Sequence, residues 1–203
     1  MEYITLSKEA SASFIEKKSE FIGYAAPVKT EEEAMAFVNK IRKKHGDATH
    51  NCYAYMLANG NARYSDDGEP QGTAGVPILS VIQKGGFTDA VIVVTRYFGG
   101  ILLGAGGLVR AYSAGARDAV AAAKIVKYSQ YTEFRVRCSY SDYQKLLPVI
   151  ERLGIKTDDT QFTDEVTLML AAKPEIYQQF ALKITEISAG KLIAEETGSR
   201  FSE

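Results

Sequence analysis

The chain has 203 residues, enough for one large or two small domains, and its 46% hydrophobic content can fill a sizeable core. A formal net charge of −1 excludes the strongly basic surface of an indiscriminate nucleic-acid binder, and no apolar run approaches the roughly 18 residues of a transmembrane helix. With no secretory signal visible at Met1-Glu2-Tyr3-Ile4 and only two cysteines, Cys52 and Cys138, the expectation is a cytoplasmic protein with free thiols and no membrane partner.

Two strand-like runs are expected in residues 1–28, the second ending Phe21-Ile22-Gly23-Tyr24-Ala25-Ala26-Pro27. Thr30 then opens a helix, because Thr30 and Glu33 have the spacing of a capping box, each side chain meeting an orphan backbone N–H. Ala34, Phe37, Val38 and Ile41 make its apolar face, and Gly46 stops it. Lys40, Arg42, Lys43 and Lys44 in the last turn suit the helix dipole. Residues 50–57 read as a strand, and residues 58–72 as a long polar loop of the size that is often functional. A short helix follows Thr73, with Pro77 tolerated in its first turn. Gly85-Gly86 breaks the chain before a buried strand at 90–95. A helix over about 106–124 presents Val109, Tyr112, Ala116, Ala119, Val120 and Ala123 on one side. Those side chains are mostly small, so the helix can lie close against a sheet.

Residues 124–129 mark a boundary, giving expected domains at 1–127 and 128–203. The first carries 15 Lys+Arg against 13 Asp+Glu and the second 9 against 12, so any RNA contact must be local and shape-dependent. The second half reads as strand 131–138, helix 141–153, strands 155–162 and 166–172, helix 174–188 and strand 191–197. That βαββαβ order is the ferredoxin-like split unit, and the fold class is therefore α+β. Pro148 is expected to kink or break the first of its helices.

Ala90-Val91-Ile92-Val93-Val94 leads into Thr95-Arg96-Tyr97-Phe98-Gly99-Gly100-Ile101-Leu102-Leu103-Gly104-Ala105-Gly106-Gly107-Leu108-Val109-Arg110-Ala111-Tyr112. A buried strand, a glycine-rich turn and a helix start in that order make an anion seat. The five glycines Gly99, Gly100, Gly104, Gly106 and Gly107 let backbone N–H groups approach a ligand at a helix end that carries partial positive charge. Arg96 and Arg110 would add forked donors for phosphate or carboxylate. The same glycines also serve backbone turning and close packing. No Gly-Lys-Ser/Thr follows and the dinucleotide spacing is incomplete, so neither an ATP nor a nicotinamide site is expected.

Ser65-Asp66-Asp67-Gly68-Glu69-Pro70 offers three carboxylates within four residues. They are candidates for Mg²⁺ binding or for acid–base chemistry, and the alternative is a turn stabilised by Asx side chains. His50 and Cys52 would share a strand face, with core packing the alternative for the cysteine. No catalytic residue is assigned; His50, Asp66, Asp67 and Glu69 are the candidates. Tyr53, Tyr55 and Tyr97 are candidates for base stacking. Tyr53 and Tyr55 point opposite to His50 and Cys52, so one pair is expected to be core and the other accessible.

His50-Asn51-Cys52-Tyr53-Ala54-Tyr55, the acidic segment continuing to Gly72-Thr73-Ala74-Gly75, and the Val93–Tyr112 stretch together resemble the signature of the IMPACT family in its bacterial two-domain form. The resemblance implies a link to translation, since the eukaryotic relatives restrain a stress kinase that phosphorylates an initiation factor. It also implies an N-terminal domain similar to domain IV of elongation factor G. The expectation is a translation-linked regulatory protein that binds the ribosome or structured RNA through the glycine-rich seat. The alternatives are an enzyme acting on a phosphorylated or anionic small molecule and a module that binds a regulatory protein partner.

Overall fold

A computed structural model of the protein describes residues 2–202. The chain divides into two compact units, one of residues 3–127 and one from Tyr128 onward that also takes Glu2.

The first unit is built on a five-stranded antiparallel sheet. Its strands are β2 (Ala10–Glu16), β3 (Ser19–Pro27), β4 (His50–Met56), β5 (Ala62–Ser65) and β6 (Ala90–Tyr97), in the order β2-β3-β6-β4-β5. Helix α1 (Glu31–Lys44) covers one face, while α2 (Gly75–Gly85) and α3 (Ala105–Ala123) cover the other. Period-two alternation sorts the strands between them. Ala90, Ile92, Val94, Cys52 and Ala54 face α2 and α3; Val91, Val93, Tyr53 and Tyr55 face α1 with Phe37, Val38 and Ile41. With both faces covered, β6 is apolar without a break, and both sides of β4 are core. The expectation that one side of β4 is accessible is thereby corrected.

The small residues of α3 act as expected. Gly115 packs so closely on β3 that a Cβ at Gly23 would strike the Gly115 carbonyl. Thr30 accepts from the Glu33 N–H at 3.2 Å, but the Glu33 carboxylate reaches back one residue further than expected, to the Lys29 N–H at 2.6 Å. Two local readings change. The first 28 residues hold three strands, with β1 (Glu2–Leu6) preceding the β2–β3 hairpin, and the expected long loop contains β5. An edge strand of exposed residues such as Ala62, Arg63 and Tyr64 carries no apolar alternation by which to be recognised.

The second unit has β7 (Ile125–Cys138), α4 (Tyr140–Arg152), β8 (Lys156–Phe162), β9 (Val166–Ala172), α5 (Pro174–Ile187) and β10 (Glu195–Ser202). Its strand order, β10-β7-β9-β8 and antiparallel throughout, is the ferredoxin-like arrangement. Phe134, Val136, Leu168 and Leu170 pack under Leu146, Ile150, Phe180 and Ile184 of the two helices. Helix α4 continues through Pro148, which sits on the exposed side, as does Gln144, whose carbonyl loses its intrahelical donor. The last strand begins later than its apolar alternation suggests, because Leu192 and Ala194 plug the core before pairing starts.

Candidate functional site

The segments singled out in the sequence converge on one buried carboxylate. Arg96, near the end of β6, donates from Nη1 to Glu69 Oε1 at 2.6 Å, and the Tyr112 hydroxyl of α3 donates to the same oxygen at 2.7 Å. His50, at the start of β4, places Nε2 at 3.8 Å from it. The Arg96 and Glu69 side chains are 6% and 3% exposed, so this pair is internal. The Arg96 guanidinium also lies 5.6 Å from the Phe21 ring centroid and 5.2 Å from that of Phe98, and its Nε has no partner. Arg96 therefore holds the end of β6 to the acidic loop. The expectation that it adds a forked donor for a bound phosphate is corrected, because the enclosed guanidinium is committed to the Glu69 carboxylate.

Each carboxylate of the acidic loop has its own structural partners. Asp66 Oδ1 accepts from the Ala74 and Gly75 N–H groups and Oδ2 from that of Gly72, so it caps the start of α2 from a distance in sequence. Burial raises the Asp66 carboxyl, but the three N–H donors outweigh it and hold the group below the ordinary range. Asp67 takes Arg42 Nη2 at 2.8 Å and the Asn51 N–H at 2.7 Å, with its own φ of 45° in the left-handed region. Its carbonyl accepts from His50 Nδ1 at 2.8 Å, which fixes the proton on that nitrogen and leaves Nε2 toward Glu69. Among the described residues no group of three or more His, Cys, Asp or Glu is arranged to hold a metal ion.

Cys52 is fully buried, and its Sγ donates to the Asp66 carbonyl at 2.9 Å. Burial pushes this thiol far above its usual value, which suits packing and not nucleophilic attack. Tyr53 and Tyr55 are 4% and 2% exposed and offer no ring to a base, which corrects the stacking expectation for both. Tyr97 is half-buried, with its hydroxyl shared between His45 Nδ1 at 2.9 Å and Asp47 at 3.0 Å. The accessible ring beside the glycine turn is Phe98, 45% exposed.

The glycine turn itself is at the surface. A Cβ at Gly99 would strike the Lys18 carbonyl, so this glycine exists for close approach to the β2–β3 turn. Gly100 and Gly104 have φ of 86° and 72°, which side-chain-bearing residues rarely adopt. Gly107 is tight against Leu103, at 2.9 Å for an added Cβ, whereas Gly106 has room, its nearest neighbour being Arg110 Nη1 at 3.7 Å. Helix α3 starts with no side-chain cap and no acid in its first turn. Arg110 is exposed one turn on, with no ion pair among the described residues. Lys17 and Lys18 form the neighbouring two-residue hairpin turn, both at left-handed φ (47° and 63°) where Asn-Gly is the preferred pair.

Sequence reasoning missed Tyr112 as a polar contact, Asn51 and Arg42 as partners of Asp67, and the hairpin lysines. Tyr112 carried a signal, since it lies two residues after Arg110 inside the glycine stretch yet on the buried side of α3.

The residues of this cluster fall within one known domain. The Impact N-terminal domain matches residues 17–120, which contain every residue of the Glu69 cluster, and a domain of unknown function, DUF1949, matches residues 136–191. The chain is 34% identical over 191 residues to the IMPACT family member YvyE of Bacillus subtilis, spanning 93% of this chain and 88% of that protein. The chain belongs to the IMPACT family. It is likewise 34% identical to YigZ of Escherichia coli over 180 residues, and 45% identical to the IMPACT homologue of Dictyostelium discoideum over 98 residues, 45% of this chain and 28% of that one. A crystal structure described as that of a hypothetical protein aligns at a TM-score of 0.61 and 31% identity over 97% of both chains. The IMPACT relatives thus include proteins matched along both units and larger ones matched over less than half of this chain.

Proposed function

We propose that this IMPACT family member is a translation-linked protein that contacts ribosomal or other structured RNA through the glycine turn between β6 and α3. The observation that carries the reading is the exposed, uncapped start of α3, free of acidic residues and accompanied by an unpaired Arg110. Free N–H groups at a helix start favour phosphate, and Arg110 supplies a forked donor beside them. The hairpin turn that Gly99 packs against brings Lys17 and Lys18, both exposed, to the same edge. Phe98 offers a ring on which a base can stack. Arg96 serves this surface indirectly, by fixing the end of β6 from which the turn departs.

Binding is favoured over catalysis because Asp66 and Asp67 are each engaged by backbone donors, and Glu69 by Arg96 and Tyr112. Mg²⁺ has no role in this reading. The test is co-sedimentation with ribosomes across a salt series, with and without nuclease, comparing the parent with the triple variant Lys17→Ala/Lys18→Ala/Arg110→Ala. We expect binding that falls with salt and a slope shallower by about 2 to 3 in the variant, each lost phosphate contact removing a little under one unit. Identical salt curves for the two proteins would remove the glycine turn from the contact. A nuclease-resistant association with a single protein would support the interaction-module alternative in its place.

A further inference from the structure

Between α2 and α3 the first unit carries a groove of about 470 Å³, within the size range of small-ligand sites. Its floor is apolar: Val81 of α2, Val120 of α3 and the fully buried Phe87, with Ile125 half exposed at one side. The two helices bring matching polar pairs to it. Ser80 and Lys84 stand four residues apart on α2, and Ser113 and Arg117 four apart on α3. That spacing places each hydroxyl and its cation on one helix face. None of the four side chains has a hydrogen bond or an ion pair among the described residues, and no acidic residue lines the groove. Neither serine returns its hydroxyl to the carbonyl one turn back, as Thr185 of α5 does to Ala181. Two unpaired cations and two unengaged hydroxyls therefore border one apolar floor.

We propose that this groove binds a small amphipathic anion, a carboxylate or phosphate monoester with an apolar tail. Lys84 and Arg117 take the charged head, helped by the serine hydroxyls, and the tail lies against Val81 and Ile125 over the floor that Phe87 and Val120 close. Charge complementarity identifies the ligand class, because the lining holds cations with no counter-charge of its own. Neither Lys84 nor Arg117 is among the residues of the proposed RNA contact, so separate variants test the two readings.

The probe is 8-anilinonaphthalene-1-sulfonate, titrated by fluorescence into the intact chain, with uncharged N-phenyl-1-naphthylamine as its control. We expect saturable binding of the anionic probe and a Kd at least about tenfold weaker in Lys84→Gln/Arg117→Gln, while the uncharged probe changes by less than about twofold. Octanoate or octyl phosphate should displace the anionic probe and octanol should not; the stronger competitor identifies the head group. Both substituted residues are exposed, so circular dichroism of the double variant should match the parent. Non-saturable binding, an unchanged Kd in the folded double variant, or equal displacement by octanol would each overturn the proposal.

Discussion

Glu69 and Arg96 form an internal ion pair, and removing one partner strands the other. Breaking such a pair costs about 3–5 kcal/mol, most of it from the uncompensated charge. We expect Glu69→Ala and Arg96→Ala each to lower unfolding stability by about that amount, and Arg96→Met/Glu69→Leu to lower it by less than either single change. Urea denaturation of the three variants checks this; additive losses would show that the two groups act independently. His45 is a second internal group, with Nε2 at 2.6 Å from the Tyr24 hydroxyl and Nδ1 at 2.9 Å from that of Tyr97. Burial lowers its pKa, the Lys44 charge adds to that, and Asp47 and Glu20 oppose. The unfolded chain therefore takes up this proton more readily than the folded one. Its contribution to stability is complete above the unfolded value of about 6.5 and declines as pH falls through it toward the lower folded value. Melting temperatures between pH 7.5 and 5 should fall more steeply for the parent than for His45→Gln.

At the scale of elements, the glycine turn joins a strand and a helix for reasons that differ along its length. Gly99 is required by the Lys18 backbone, whereas a Cβ at Gly106 in the first turn of α3 would meet only the Arg110 guanidinium, at ordinary contact distance. Gly99→Ala should cost about 1–3 kcal/mol through overpacking against a backbone that cannot yield. Gly106→Ala should leave stability unchanged or raise it by up to about 1 kcal/mol through helix propensity. Thermal unfolding of the two variants separates packing from seat. An Asp66 that caps α2 eight and nine residues ahead of itself shows the same logic: an acidic turn can look like chemistry and be a helix start.

At the scale of the molecule, each unit owns a core. The second buries Phe134, Leu146, Leu168, Phe180 and Ile184 among its own residues. A fragment of residues 128–203 should therefore fold alone, with dispersed amide resonances and a cooperative melt; a molten fragment would show that it needs the first unit. The first unit contains the Glu69 cluster, the glycine turn and the α2–α3 groove. Both binding readings belong to it.

Much of this was legible from sequence because it is local. The α1 cap lies in Thr30 and Glu33, the all-apolar run of β6 in five consecutive residues, and the βαββαβ order in hydrophobic period. The family signature was equally plain, being contiguous at His50–Tyr55, Ser65–Gly75 and Val93–Tyr112. What depended on contacts between distant residues was not. Arg96 and Glu69 lie 27 residues apart, and only folding decides that one neutralises the other. Tyr53 and Tyr55 alternate with Cys52 as a half-exposed strand would, and only the helices on both faces of the sheet make them core. Sequence determined which residues could carry charge, turns and apolar faces; the tertiary structure decided which charges are cancelled and which remain for a ligand, because burial and pairing are properties of neighbours in space.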